Sequence, residues 1–455
     1  MLRMLVAHAM ALLLVPTSAG AESLKPQIDA LAQPLIDEGL VVGMVVGITN
    51  GGQTEFYAYG ESARGSGLAP SADTVYEIGS ISKAFTGSIL AAMVAAGEVQ
   101  LDDPVQRYLP ESATMPVRGD QPITLERLAT HTSGLPRLPD NMDPDDPDNP
   151  YADYGEEELY EFLNHHKLSR SPGKAEYSNL GMGLLGHVLA RRAGTTYEQL
   201  LLARIAGPLG MTDTTITLRE DQRSRLAAAY TVSLEPTKNW DIPTLAGAGG
   251  IRSTARDMIR YLEANLADDD APLAKSLKLA HEKRRDLGDG QAIGLGWHIA
   301  RDGQTRWHNG MTGGYASWAS IVPEKRVGVV VLSNTATLKI TELGELITRA
   351  ACGEQVEPPK PRPTVAVDAA TLDSYVGTYY ILPWFSLTVT RDGSQLLVQA
   401  SGQERFPIYA ESPTKFFYKV VEAEITFVKA DNGQVDKLIL FQNGRELKAF
   451  RLKWK

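Results

Sequence analysis

Apolar positions at Ile28, Leu31, Leu35 and Ile36 recur at helical spacing and predict an amphipathic helix over Lys25 to Leu40. The run Val41 to Thr49, the turn Asn50-Gly51-Gly52 and the run Thr54 to Tyr59 then predict a β-hairpin. A different pattern covers Glu77 to Gly97, which is apolar or small on nearly every side, with Ile81, Phe85, Ile89, Met93 and Ala96 at helical spacing. Such a helix belongs inside a domain, not on its surface. Gly79 lets the chain turn at its start and Gly97 is a natural cap at its end.

Further on, Ile123 to Thr130 leads into the turn His131-Thr-Ser-Gly-Leu-Pro136. Helical patterns follow at Glu156–Leu163, Gly181–Arg192, Tyr197–Ile205, Ala255–Leu266 and Ala274–His281, and strand patterns at Gly294–Ala300, Thr305–His308, Tyr315–Val322 and Val327–Ser333. A last helix is expected near Ile340–Ala351. Strands at both ends with helices between them predict an α+β domain in which terminal strands share a sheet and the helical middle forms the opposite wall. Past the prolines at 358, 359, 361 and 363, short alternating runs such as Phe385–Thr390, Gln395–Ala400, Lys415–Val420, Glu424–Val428 and Lys437–Phe441 are separated by Asp-Gly and Asn-Gly turns. They predict an up-and-down antiparallel meander closed as a small β-barrel.

Composition adds three constraints. The chain has 455 residues, 43% of them hydrophobic, enough for one large domain and a smaller one. Its net charge of −10 argues against nucleic acid and against anionic membrane surfaces as partners. Arg3, the apolar run Ala9–Val15 and Ala19-Gly20-Ala21 match a secretory signal with a small-residue cleavage site, too short for a stable membrane span. The expected organisation is therefore a signal peptide at 1–21, an α+β domain at 22–353, a linker at 354–364 and a barrel domain at 365–455. The single cysteine, Cys352, forms no internal disulfide. Export without disulfides points to a bacterial envelope enzyme, periplasmic or secreted; the oligomeric state is left open.

The chemistry centres on Ser80 and Lys83, three apart at the start of the apolar helix and so on one face, where unbonded backbone N–H groups favour developing negative charge. This is the arrangement of an activated serine nucleophile. Ser-x-x-Lys also occurs at Ser171/Lys174 and Ser412/Lys415, but there proline follows the serine and no apolar periodicity follows. Tyr177-Ser178-Asn179, read as extended, sets a phenol and an amide on one side. In Trp307-His308-Asn309-Gly310-Met311, followed by Gly313 and Gly314, a strand edge lets a substrate lie close and offers a backbone N–H near Met311 to an oxyanion.

Other patterns carry less. Gly181-x-Gly183-x-x-Gly186 has no preceding buried strand and reads as helix-packing glycines, and His165-His166 has no third ligand in view. Asp140 to Pro150 holds five aspartates and three prolines but lacks the glycine and glutamate of a calcium loop, so it reads as a solvated loop and no metal is expected. No cofactor is expected either. His131 reads as structural, and no Gly-x-Ser-x-Gly is present.

Ser80-x-x-Lys83, Tyr177-x-Asn179 and His308-Asn309-Gly310, in that order, resemble the three motifs of the penicillin-recognising serine hydrolases: class C β-lactamases, D-alanyl-D-alanine peptidases and related esterases. Leu128–Pro136, Gly249–Met258, Gly294–Trp297 and Ile321–Asn334 agree, so the resemblance covers about residues 25 to 352. The meander resembles the lipocalin-like domain appended to some members.

The resemblance implies an exported hydrolase that cleaves an amide or ester, in a β-lactam or D-amino-acid peptide, through an acyl-enzyme on Ser80. Lys83 and Tyr177 would share proton transfer, Asn179 would hold the substrate amide, and the N–H groups of Ser80 and Met311 would form the oxyanion hole beside Gly310. A carboxylesterase, or a penicillin-binding sensor without turnover, remains an alternative. His308 stands where the β-lactamases carry lysine, and a mostly neutral imidazole anchors a carboxylate less firmly than a fixed cation.

Overall fold

The computed structural model describes residues 23–268, 270–360 and 362–451. The expected signal peptide at 1–21 lies outside the described residues.

The predicted hairpin is present as β1 (Gly43–Asn50) and β2 (Gln53–Gly60), joined at the two-residue turn Gly51-Gly52 with Asn50 opposite Gln53. Late in the domain come β5 (Arg285–Gly288), β6 (Gln291–Ile293), β7 (His298–Ile299), β8 (Arg306–Met311), β9 (Ala316–Val322) and β10 (Val327–Ser333), after a small pair made by β3 (Val75–Glu77) and β4 (Arg252–Thr254). The large sheet has eight strands in the order β2-β1-β10-β9-β8-β7-β6-β5. Its N- and C-terminal strands meet, with Met44 opposite Ser333 and Asn50 opposite Val327.

Both faces of this sheet are covered, which is why β10 reads as an unbroken apolar run. Val329 and Val331 face one core with Met44, Val46, Trp318 and residues of two helices, α1 (Lys25–Asp37) and Lys339–Ala351. Val330 and Leu332 alternate to the other face, where Val45, Phe85, Ile89, Tyr261 and Trp297 build the larger core. At its centre runs α2 (Ser82–Ala95), buried continuously from Ser82 to Ala91.

Four expectations need correction. Glu77 does not begin the buried helix: β3 ends there, Gly79–Ile81 forms a 3₁₀ turn, and the α-helix starts at Ser82. Pairing between β3 and β4, with a buried contact between Glu77 and Arg252 at 3.4 Å, outweighs helical periodicity at that end. Asn179 is not on an extended segment; Ser178 caps a helix, accepting from the Gly181 N–H at 2.8 Å, and Asn179 is its first residue. Gly294–Ala300 is mostly a turn between the short β6 and β7, with Gly296 at φ +75°. The Tyr197 helix gives way to a wider turn over Leu202–Ala206. The triple-glycine pattern is a packing surface, since a Cβ on Gly183 would lie 2.6 Å from that of Leu245.

Residues 377–451 form a closed barrel of eight antiparallel strands. It closes where Tyr379 and Tyr380 pair with Arg451 and Phe450. The interior is filled by side chains: the helix Ala369–Tyr375 brings Tyr375 onto Phe427 at 4.0 Å between ring centroids, with Phe416, Ile425 and Leu438 around them. Lys419 reaches back to Glu38 at 2.9 Å. A groove of about 460 Å³ between α1, the Lys339–Ala351 helix and the barrel contains none of the candidate site residues. Among the described residues no helix is long and apolar enough to cross a membrane.

Candidate active site

The 3₁₀ turn sets Ser80 at the head of α2 with Lys83 one turn on, and the Lys83 amine lies 2.9 Å from the Ser80 hydroxyl oxygen. Lys83 is fully buried and donates to the Ala248 carbonyl at 2.6 Å. Burial, then repulsion from the Arg137 cation, drives its pKa well below the usual lysine value. The shift favours the neutral amine, the form whose lone pair can take the serine proton.

Tyr177 packs beside this pair, with the Lys83 nitrogen 4.9 Å from its ring centroid. Burial pushes the phenol up to about 12, against the pull of the Ser80 hydroxyl and of Arg137. It is therefore protonated at neutral pH and able to donate. Three bonds hold the segment. The Ser178 N–H donates to His131 Nδ1 at 3.1 Å, the Ser178 hydroxyl donates to the Pro136 carbonyl at 2.6 Å, and the Asn179 N–H donates to the Arg137 carbonyl at 2.9 Å.

The His131 turn thus carries the tyrosine motif. Since a backbone N–H only donates, Nδ1 of His131 is unprotonated; burial holds the imidazole pKa well below its usual value, and the Arg137 cation acts in the same direction. His131 sits at φ +57°, in the left-handed region.

Asn179 turns its amide toward the Tyr151 hydroxyl at 3.4 Å, leaving its own carbonyl oxygen buried without a partner among the described residues. Tyr151 follows the acidic loop, which is latched rather than loose. Asn149 and Asp241 exchange two hydrogen bonds at 2.8 and 3.1 Å, and Lys238 pairs with Asp146 at 2.7 Å. Trp240, 5.4 Å from Tyr151 between centroids, packs over Gly313.

The third motif arrives on β8. Gly310 passes directly over the Ile78 carbonyl, where a Cβ would be 2.1 Å from the oxygen. Gly79, at φ +49°, likewise abuts Met311: its Cβ would lie 2.7 Å from the Met311 nitrogen. These close approaches bring the Ser80 turn and Met311 together. His308 is 1% exposed, its Nδ1 proton donated to the Asn309 carbonyl at 2.5 Å and its Nε2 left without a partner among the described residues. Burial, then His298 and Lys83, keep it neutral.

Ser80, Lys83, Tyr177, His308, Gly310 and Met311 therefore converge, with Asn179 fixed on the Tyr177 side. Sequence patterns did not single out Arg137, Tyr151, Trp240 or His298, which surround them. Only the position of Arg137, immediately after His131–Pro136, offered a signal. Among the described residues no three His, Cys, Asp or Glu side chains are disposed to hold a metal.

Comparison with known proteins places this arrangement. Residues 28–348 match the Beta-lactamase family model, and 361–451 match a domain of unknown function, DUF3471. The chain is 32% identical over 330 residues to the D-alanyl-D-alanine-carboxypeptidase/endopeptidase AmpH of Escherichia coli K12, covering 68% of this chain and 84% of that protein. It is 28% identical over 354 residues to a β-lactamase of Pseudomonas fluorescens, covering 69% and 94%. Among solved structures, a β-lactamase/D-alanine carboxypeptidase from Yersinia pestis complexed with citrate superposes with a TM-score of 0.63 at 30% identity, over 72% of this chain and 98% of that one. A chain that matches the family model over most of its length, and sets a serine, a buried lysine and a tyrosine together at the head of its central helix, belongs to the Beta-lactamase family of serine hydrolases.

Proposed function

We propose that this protein is an exported hydrolase of D-alanyl peptides or small esters that works through an acyl-enzyme on Ser80 and turns β-lactams over poorly. The observation that carries the reading is the fully buried Lys83 amine 2.9 Å from the Ser80 oxygen. The Ser80 oxygen attacks the substrate carbonyl carbon while its proton passes to Lys83. The oxyanion settles between the N–H groups of Ser80 and Met311, and Asn179 holds the substrate amide. Tyr177, protonated at rest, relays the proton to the departing amine or alkoxide; water then attacks the acyl carbon, giving up a proton along the same path, and Ser80 leaves and takes that proton back.

Substrate preference follows from His308. A neutral, buried imidazole in the third motif lacks the fixed positive charge that lysine would offer a β-lactam carboxylate, whereas an ester without a carboxylate makes no call on that position. Similarity to a carboxypeptidase/endopeptidase supports the same side. Export rests on the signal-like residues 1–21 and is read by N-terminal sequencing of mature protein, expected to begin at Glu22.

The test is hydrolysis of a D-alanyl-D-alanine peptide, 4-nitrophenyl acetate and nitrocefin, with Ser80→Ala as control. Peptide or ester turnover lost in Ser80→Ala, with nitrocefin slow, is the expected result. Efficient nitrocefin turnover would make the protein a β-lactamase that tolerates His308.

A further inference from the structure

Lys83 and His308 are both buried, so a positive charge beside the nucleophile that solvent can reach comes from another residue. Arg137 is exposed, and its guanidinium carbon stands 5.1 Å from the Tyr177 ring centroid. Among the described residues its side chain has no carboxylate partner and no hydrogen bond, whereas nearby Arg170 is paired with Glu176 and Arg252 with Glu77 and Asp241. Its backbone is fixed, because its carbonyl accepts the N–H groups of both Asn179 and Leu180, at 2.9 and 3.1 Å. The cation is thus tethered to the first turn of the Asn179 helix and laid on the catalytic tyrosine. Its charge is felt by Lys83, His131, Tyr151 and Tyr177.

We infer that Arg137 is a substrate-anchoring residue whose exposed, unpaired guanidinium beside Tyr177 selects substrates that carry a carboxylate. A guanidinium offers a carboxylate two parallel N–H donors, and stacking on Tyr177 limits the rotamer freedom lost on binding. The anchor stands on the loop that also holds the Asn179 helix, whereas a third-motif lysine would stand on β8, so this chain presents its fixed charge from a different element. The carboxylate belongs either to the acyl group or to the leaving group.

This inference rests on the hydrolase reading above, and two matched substrate pairs separate the possibilities. Acetyl-D-alanyl-D-alanine against its carboxamide places the acid on the leaving group; 4-nitrophenyl hydrogen adipate against 4-nitrophenyl hexanoate places it on the acyl group. In one pair kcat/KM should favour the acid about tenfold or more, and Arg137→Gln should remove that preference while Arg137→Lys keeps part of it. Calorimetric binding of the same pairs to the Ser80→Ala protein reads the anchor without chemistry. Hydrolysis indifferent to Ser80→Ala sinks the hydrolase reading, and the ratio of binding constants within each pair then decides the role of Arg137. No acid preference in either pair, a preference that survives Arg137→Gln, or equal loss for acid and neutral partner overturns the inference, the last because Arg137 would then act through Lys83 or Tyr177.

Discussion

Gly79 and Met311 are in backbone contact: any side chain on Gly79 would place its Cβ 2.7 Å from the Met311 nitrogen. Gly79→Ala therefore forces the Ser80 turn and β8 apart, and it also strains a backbone at φ +49°. Loss of one oxyanion donor typically lowers kcat by about 10²–10³. The variant should fall in that range on 4-nitrophenyl acetate, and a change of less than about threefold would mean that Met311 contributes no donor.

Lys83→Arg should be as inactive as Lys83→Met, because arginine stays charged and cannot accept the serine proton. General-base loss is worth about 10²–10⁴ in rate, read from the appearance of acyl-Ser80 by mass spectrometry. Retained acylation in Lys83→Arg would rule out the neutral-amine mechanism.

The same lysine sets a stability trend with pH. Its folded-state pKa lies well below 10.5, so between the two values the unfolded chain holds a proton that the folded chain does not. The stability contributed by this site rises with pH through that window. Lys83→Met removes the penalty, so its gain in Tm over the unsubstituted protein should be largest near neutral pH and shrink toward pH 10. A gain independent of pH would show that Lys83 is charged in the fold.

His281 and His298 are held down to about 3 and about 4, in both cases chiefly by burial. Each is neutral in the fold and protonates near pH 6.5 when unfolded, so stability present above that pH declines as pH falls toward the folded values. The slope is at most about 1.4 kcal/mol per pH unit for each histidine. In urea titrations at pH 7.5 and 4.5, His281→Gln should lose less stability over the interval than the unsubstituted protein. Equal losses would remove His281 from the account.

His131→Gly tests how the tyrosine motif is positioned. Glycine tolerates the left-handed backbone at this position but removes the acceptor for the Ser178 N–H. Stability should drop by about 1–3 kcal/mol, the usual result of leaving a buried donor unpaired. If the imidazole also holds Tyr177, kcat should fall more than KM rises; a pure stability loss would confine His131 to the fold.

The pairing of Ser80 with Lys83 and the order of the motifs were legible in sequence because burial and periodicity point the same way there: α2 has no polar face for Lys83 to use. Val327–Ser333 was legible for the same reason, with both its faces covered. Three barrel strands were not. Arg405–Ala410 carries Pro407 in its middle, Arg445–Arg451 buries only Ala449, and Gly377–Leu382 begins on a glycine. Each owes its state to neighbours on the closed sheet rather than to its own pattern. Arg137 and Tyr151 escaped because their place beside Tyr177 and Asn179 comes from contacts between loops, which no local spacing encodes.

The Tyr375–Phe427 stack that fills the barrel belongs to a core sharing no member with the two cores flanking the large sheet. Cooperativity extends only as far as packing does, so one end of the chain can melt while the other stays native. Calorimetry should resolve two heat-absorption peaks, and the loss of Ser80 acylation on heating should follow only one of them. The operating temperature of the enzyme is then set by the sheet-bearing half, whatever the melting point of the barrel.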